Sequence, residues 1–147
     1  MIAYKKGYKY QVYRTVEVET GVIPLKPVGG DYSELSMDGI LTIKKGFSYD
    51  GPSGPTIDSK NFMAAALAHD ALYELMRLGM LPRGHGYRKQ ADKLLRDMCR
   101  QNGMTKVRSW WVYRGVRLGA GPSAKPVNQR KVHTAPAHGW REVQEET

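Results

Sequence analysis

From Tyr8 to Val18 the even positions read Tyr8, Tyr10, Val12, Arg14, Val16 and Val18, and the odd positions are mostly polar. A period of two predicts one strand with one buried face. Thr20-Gly21 reads as a turn, and Val22-Ile23-Pro24 as the start of a short partner strand that Pro24 confines to an edge. Lys26 to Tyr32, with Pro27 and Gly29-Gly30, reads as loop. Asp38-Gly39 is a hairpin dipeptide. After it, Leu41, Ile43, Phe47 and Tyr49 alternate with polar residues, and Gly46 marks an expected bulge. Roughly the first fifty residues therefore predict a small antiparallel sheet of about three or four strands.

The period changes at Asp58-Ser59, either of which suits the N-cap of a helix from about Lys60 to Leu78, with Gly79 as its C′ residue. Phe62 to Ala68 is apolar nearly all round, which makes this helix central rather than peripheral. A second helix is predicted from Tyr87 to about Asn102, with Ala91, Leu94, Leu95, Met98 and Cys99 on one stripe and Gly103 behind it. Two helices joined by a short Gly/Pro loop pack antiparallel. Thr105 to Leu118 reads as a third helix, although Trp111-Val112-Tyr113 and Gly115 also suit a strand. From Gly119 onward, Pro122, Pro126 and Pro136 sit among polar and basic residues without periodicity. The expected organisation is one α+β domain over 1–118, β-rich over 1–50 with a helix pair over 58–103, and a tail over 119–147 that orders only against a partner.

A chain of 147 residues has room for one modest core. Its single cysteine, Cys99, excludes an intrachain disulfide framework. No run approaches the roughly 18 apolar residues of a membrane span, and the start Met1-Ile2-Ala3-Tyr4-Lys5-Lys6 has no secretory apolar core. The expectation is a soluble protein made in the cytoplasm. Net charge is +9, and Arg83 to Arg117 carries ten Lys/Arg against two Asp. Such an excess suits nucleic acid, anionic lipid or an acidic partner, and equally a solvated helix face.

His69 and Tyr73 are four residues apart and share a helix face, and Asp92 on the second helix is placed to meet both. A carboxylate on one imidazole nitrogen sets the tautomer, so that the other nitrogen can deprotonate a water while Tyr73 supports the carboxylate. Asp70, about 100° round the helix from His69, can face the preceding loop. Calcium wants carboxylate and carbonyl oxygen, and Asp70 with the carbonyls of the Gly51-Pro52-Ser53-Gly54 loop matches that need. Asp50 adds a further ligand or a turn residue. The plainer alternative makes His69 a hydrogen-bonded core histidine with Asp92 and Tyr73 as structural partners. No His precedes His69, which argues against a His-Asp phosphohydrolase, and His133 and His138 have no companion ligands for zinc. Arg108, Trp110, Trp111, Arg114 and Arg117 form a basic-aromatic set that fits stacking on bases, seating at a lipid interface, or core with a basic rim.

Gly-Pro-x-Gly, then Ala-Ala-x-x-x-His-Asp-x-x-Tyr, then Ala-Asp resembles the phospholipase A2 core, in the disulfide-free form found in parvovirus capsid proteins. The resemblance covers about Tyr49 to Asp97. It implies a calcium loop at Tyr49, Gly51, Pro52 and Gly54, a catalytic helix at His69-Asp70-x-x-Tyr73, and a supporting acid at Asp92. Pro55 and the N-terminal sheet depart from it. Over about Tyr8 to Leu118 the chain also resembles an uncharacterised phage and prophage family, through Gly46 to Ser53, His69-Asp70 and Tyr113-Arg114-Gly115-Val116-Arg117. That resemblance implies synthesis in a bacterial host cytoplasm and, on one reading, incorporation in the virion. Two functions follow as expectations: a calcium-dependent hydrolase of phospholipid esters, or a non-catalytic tail or capsid component, open to self-association, that binds neighbouring phage structural proteins. Nucleic-acid binding through the basic face is a third.

Overall fold

The expected long strand is broken at Thr15. The computed structural model describes residues 2–5, 10–49, 60–82, 86–118, 132–135 and 137–143. Its strands are β1 (Ile2–Lys5), β2 (Tyr10–Val12), β3 (Val16–Glu19), β4 (Val28–Gly29), β5 (Ser33–Leu35), β6 (Ile40–Ile43), β7 (Ser48–Tyr49), β8 (Val132–Ala135) and β9 (Trp140–Glu142). They form two antiparallel sheets, in the orders β7-β2-β1-β8 and β4-β5-β6-β3-β9. β2 and β3 thus belong to different sheets. The chain bends at Tyr13 and Arg14, and buried Thr15 accepts the Lys45 backbone N–H on its hydroxyl at 3.1 Å. Val12, Val16 and Val18 are all buried, so the alternation runs across the bend and conceals it. A single sheet of three or four strands is corrected to seven strands shared between two sheets among the described residues of the first fifty.

The hairpin at Asp38-Gly39 joins β5 to β6, pairing Ser33 with Ile43 and Leu35 with Leu41. Gly39 takes φ 80°, and a Cβ there would sit 2.9 Å from Ile23 Cδ1, so the position demands glycine. Val22-Ile23-Pro24 is not a strand. The Thr20 hydroxyl donates to the Gly39 carbonyl at 2.7 Å and accepts the Val22 N–H at 3.1 Å, which turns the chain out of the β3 ladder.

Three helices follow: α1 (Lys60–Arg77), α2 (Tyr87–Gln101) and α3 (Lys106–Leu118). The N-cap expected at Asp58-Ser59 lies outside the described residues. Every residue from Phe62 to Tyr73 is buried, as an all-round apolar helix requires. Gly79 ends α1 in the left-handed conformation at φ 74°. α1 and α2 pack against each other, and their cross-contacts, residue 69 with 92 and 73 with 88, run in opposite directions. The pair is therefore antiparallel. The fold is α+β, and the described buried apolar side chains of sheets and helices make one cluster.

The stretch expected as a tail contributes β8 and β9. β8 covers the free edge of β1, with Ile2 opposite Ala135, and β9 covers that of β3, with Val18 opposite Trp140. The partner that orders these residues is the chain's own N-terminal half. An unpaired strand edge offers a row of backbone donors and acceptors. The β9 register adds a cross-strand ion pair, Arg141 to Glu17 at 3.0 Å, and buries Trp140. Trp140→Ala should therefore destabilise the protein by about 3 kcal/mol, read as a lowered urea midpoint with unchanged slope. A solvated tail would give no change.

Candidate functional site

Asp92 lies on the buried stripe of α2 with Ala91, Leu95 and Cys99, and its side chain is 0% exposed. A carboxylate so placed must be fully bonded. His69 Nε2 meets its Oδ1 at 2.7 Å, and the Tyr73 hydroxyl donates to the same oxygen at 2.5 Å. Arg117 Nη1 donates to Oδ2 at 2.9 Å from the last turn of α3. Since an ionised carboxylate only accepts, Nε2 carries the proton of the His69–Asp92 bond. Nδ1 then holds the lone pair of the neutral ring. It lies 3.7 Å from Asp70 Oδ1, so that a proton taken up at Nδ1 is met by a carboxylate at ion-pair distance.

The sequence places His69, Tyr73 and Asp92 together, and so does the structure. Asp70 is adjacent and buried. Asp50, Gly51, Ser53 and Gly54 lie outside the described residues. Among those described, no three of His, Cys, Asp and Glu cluster as metal ligands. Arg117, expected in the basic-aromatic set, instead turns its guanidinium inward onto Asp92. Arg88 was not singled out. Its Nε donates to the Tyr73 hydroxyl at 3.2 Å, and its Nη2 reaches the Val116 and Arg117 carbonyls, each at 3.2 Å. It thus ties the end of α3 to the α1–α2 pair. Its four-residue spacing from Asp92 along α2 was the available signal. Trp110 and Trp111 are 48% and 64% exposed, which removes core packing as their role. Cys99 is buried, and burial pushes its thiol up to about 12, so it is an inert core residue.

The charges are strongly coupled. Burial is the largest influence on His69 and lowers its pKa, but the Asp70 and Asp92 carboxylates together prevail and raise it above 6.5. Burial likewise pushes Asp92 up, and the bonds from His69, Tyr73 and Arg117 outweigh it and hold the carboxyl below 3.8. Burial and the bond to Asp92 push Tyr73 up to about 12, against the pull of Arg88.

A raised His69 contributes stability that is fully present below pH 6.5 and lost as pH rises through its folded value. A lowered Asp92 contributes stability present above pH 3.8 and lost as pH falls through its folded value. The thermal midpoint difference between wild type and His69→Gln should therefore be largest between those two limits and shrink on the alkaline side. A difference that is flat with pH would contradict this coupling.

The family model described as "Protein of unknown function (DUF1353)" matches residues 30–116, a span that holds His69, Tyr73, Arg88 and Asp92. No curated protein and no solved structure matches the chain. By that match over more than half its length, the chain belongs to the family of proteins of unknown function DUF1353.

Proposed function

We propose that the chain is a hydrolase of phospholipid esters in which His69 is the general base. The observation that carries the reading is the His69 Nε2–Asp92 bond at 2.7 Å, which leaves the Nδ1 lone pair on the side of Asp70. Asp92 holds the ring in the tautomer a base needs and stabilises the imidazolium formed when Nδ1 takes a proton from water. Tyr73 keeps the carboxylate in place, and Arg117 and Arg88 keep Asp92 and Tyr73 in place. On this reading Asp70, with carbonyls from Gly51 to Gly54, would hold calcium, the ion supplying electrophilic stabilisation of the ester oxygen. The buried Asp70 carboxylate fits that role, and its expected companions lie outside the described residues. On this proposal the chain is of phage origin and resembles the phospholipase A2 core of parvovirus capsid proteins.

One observation favours a second reading. Arg117 neutralises Asp92 across a buried 2.9 Å pair, as in a network whose purpose is to lock three helices. The chain would then be a non-catalytic virion component.

Fatty-acid release from mixed phospholipid micelles separates the two. Calcium-dependent release should fall by about 10²- to 10⁴-fold in His69→Gln, the usual worth of a general base, with the helical circular dichroism retained. Release that is absent from wild type, or equal in the variant, would sink the hydrolase. A base must be neutral to act, and the raised His69 value puts its protonation above 6.5. The acidic limb of kcat/KM should therefore lie above pH 6.5 and move or vanish in Asp92→Asn.

A further inference from the structure

α3 is amphipathic with its apolar stripe on the outside. Val107, Trp110, Trp111 and Leu118 are exposed at 67, 48, 64 and 82%. Ser109 is the helix's buried residue among those described, with Val112 and Val116 half-buried beside it. At about 100° per residue, Val107, Trp110, Trp111, Arg114 and Leu118 fall within an arc of roughly 100°, opposite Ser109, Val112 and Val116. Folding therefore leaves a contiguous stripe of two indoles and two aliphatic side chains in water. Scattered single apolar residues are ordinary on a surface, but a stripe aligned along one helix marks something that covers it.

The charges around the stripe say what that is. Lys106 and Arg108 flank it, and Arg114, within it, lies over the Trp110 ring at 5.6 Å. Beside it, α2 and α3 frame a groove of about 640 Å³, where Arg96, Arg100 and Lys106 meet Trp110 and Trp111, with Asp97 the one acid among its described lining residues. We infer that this face docks on an anionic phospholipid surface. Indole rings seat at the headgroup level, aliphatic side chains pass below it, and the basic rim and groove receive lipid phosphates. The indoles meet edge to face at 75° with centroids 5.1 Å apart, so they do not form the parallel platform on which successive bases stack. Exposed Val107 and Leu118 add nothing to base stacking and partition readily into lipid. The same helix ends in Arg117 on Asp92, so the docking face is tied through one ion pair to the carboxylate that holds His69. The choice of phospholipid rests on the proposed hydrolase, while the test reads binding and not turnover.

Full-length protein is mixed with phosphatidylcholine vesicles, with and without phosphatidylglycerol, and bound protein is measured by sedimentation at ~0.15 M salt. Vesicles containing brominated lipid serve as a depth probe. The expected result is binding that requires phosphatidylglycerol, with bromolipid quenching of Trp110 and Trp111 emission and none of buried Trp140. Trp110→Ala/Trp111→Ala should lower vesicle partitioning at least roughly tenfold with an unchanged thermal midpoint, since both side chains are exposed. Arg108→Glu/Arg114→Glu should remove the preference for anionic lipid. The quenching experiment uses wild type alone and decides the matter even if a variant fails to fold. Absence of binding to phosphatidylglycerol vesicles, or binding without quenching, overturns the inference. So does tryptophan-dependent binding to a single-stranded oligonucleotide, or self-association, in place of vesicle binding. Docking without fatty-acid release would leave this face standing and remove the hydrolase. Release from monomeric short-chain lipid without docking would do the reverse.

Discussion

The arrangement of the three helices depends on one buried carboxylate. Asp92 contributes nothing to solvent and receives His69 and Tyr73 from α1 and Arg117 from α3. A charge in that position without partners would cost several kcal/mol, so the native packing is the one that brings those three donors to it. Arg88, one turn earlier on α2, closes the arrangement through the Tyr73 hydroxyl and the last carbonyls of α3. Carbonyls at a helix C-terminus have no intrahelical partner, and a guanidinium satisfies them while favouring the negative end of the helix dipole. Electrostatics and helix capping thus converge on the same residues.

α1 supplies the frame on which this is built. Its small residues, Ala64, Ala65, Ala66, Ala68 and Ala71, are all buried and allow α2 and the sheets to approach closely from several sides. Its contacts reach β7 and β8 of the first sheet. At the end of the second sheet, a Cβ on Gly30 would meet Leu78 Cδ1 at 3.2 Å. A helix buried on every side holds its side chains in few rotamers. That rigidity suits either role proposed for His69, base or lock, since both depend on a single ring orientation. The His69 and Tyr73 rings lie 4.2 Å apart and tilted by 37°, so packing as well as hydrogen bonding orients the imidazole.

α3 reverses the usual division of polarity. It turns a small serine and two half-buried valines inward and leaves indoles outside. It is attached to the body by Val112 and Val116 packed on the core and, at its C-terminal end, by the polar contacts of Arg88 and Arg117. The exposed indoles are what the proposed docking on an anionic lipid surface would cover. Among the described residues no helix is long and apolar enough to cross a membrane, and a surface-lying face does not require one.

Local periodicity and chemistry determined much of this by themselves. The first two helices, their approximate ends at Gly79 and Gly103, the hairpin at Asp38-Gly39 and the meeting of His69, Tyr73 and Asp92 all follow from spacing, because each depends on neighbours within a few turns or on a short connection. Thr105 to Leu118 suits helix or strand, and the structure makes it α3. What depends on distant segments was decided only by the tertiary structure. The break at Thr15 is hidden by an alternation that continues through it, since a hydrogen bond from Lys45, thirty residues away, makes the bend. β8 and β9 carry no periodic signal of their own, being ordered by the unpaired edges of β1 and β3. Arg117 reads in sequence like its basic neighbours. Only the crossing of α3 over α2 shows that it faces a buried carboxylate, while Arg114, three residues before it, faces solvent with Trp110.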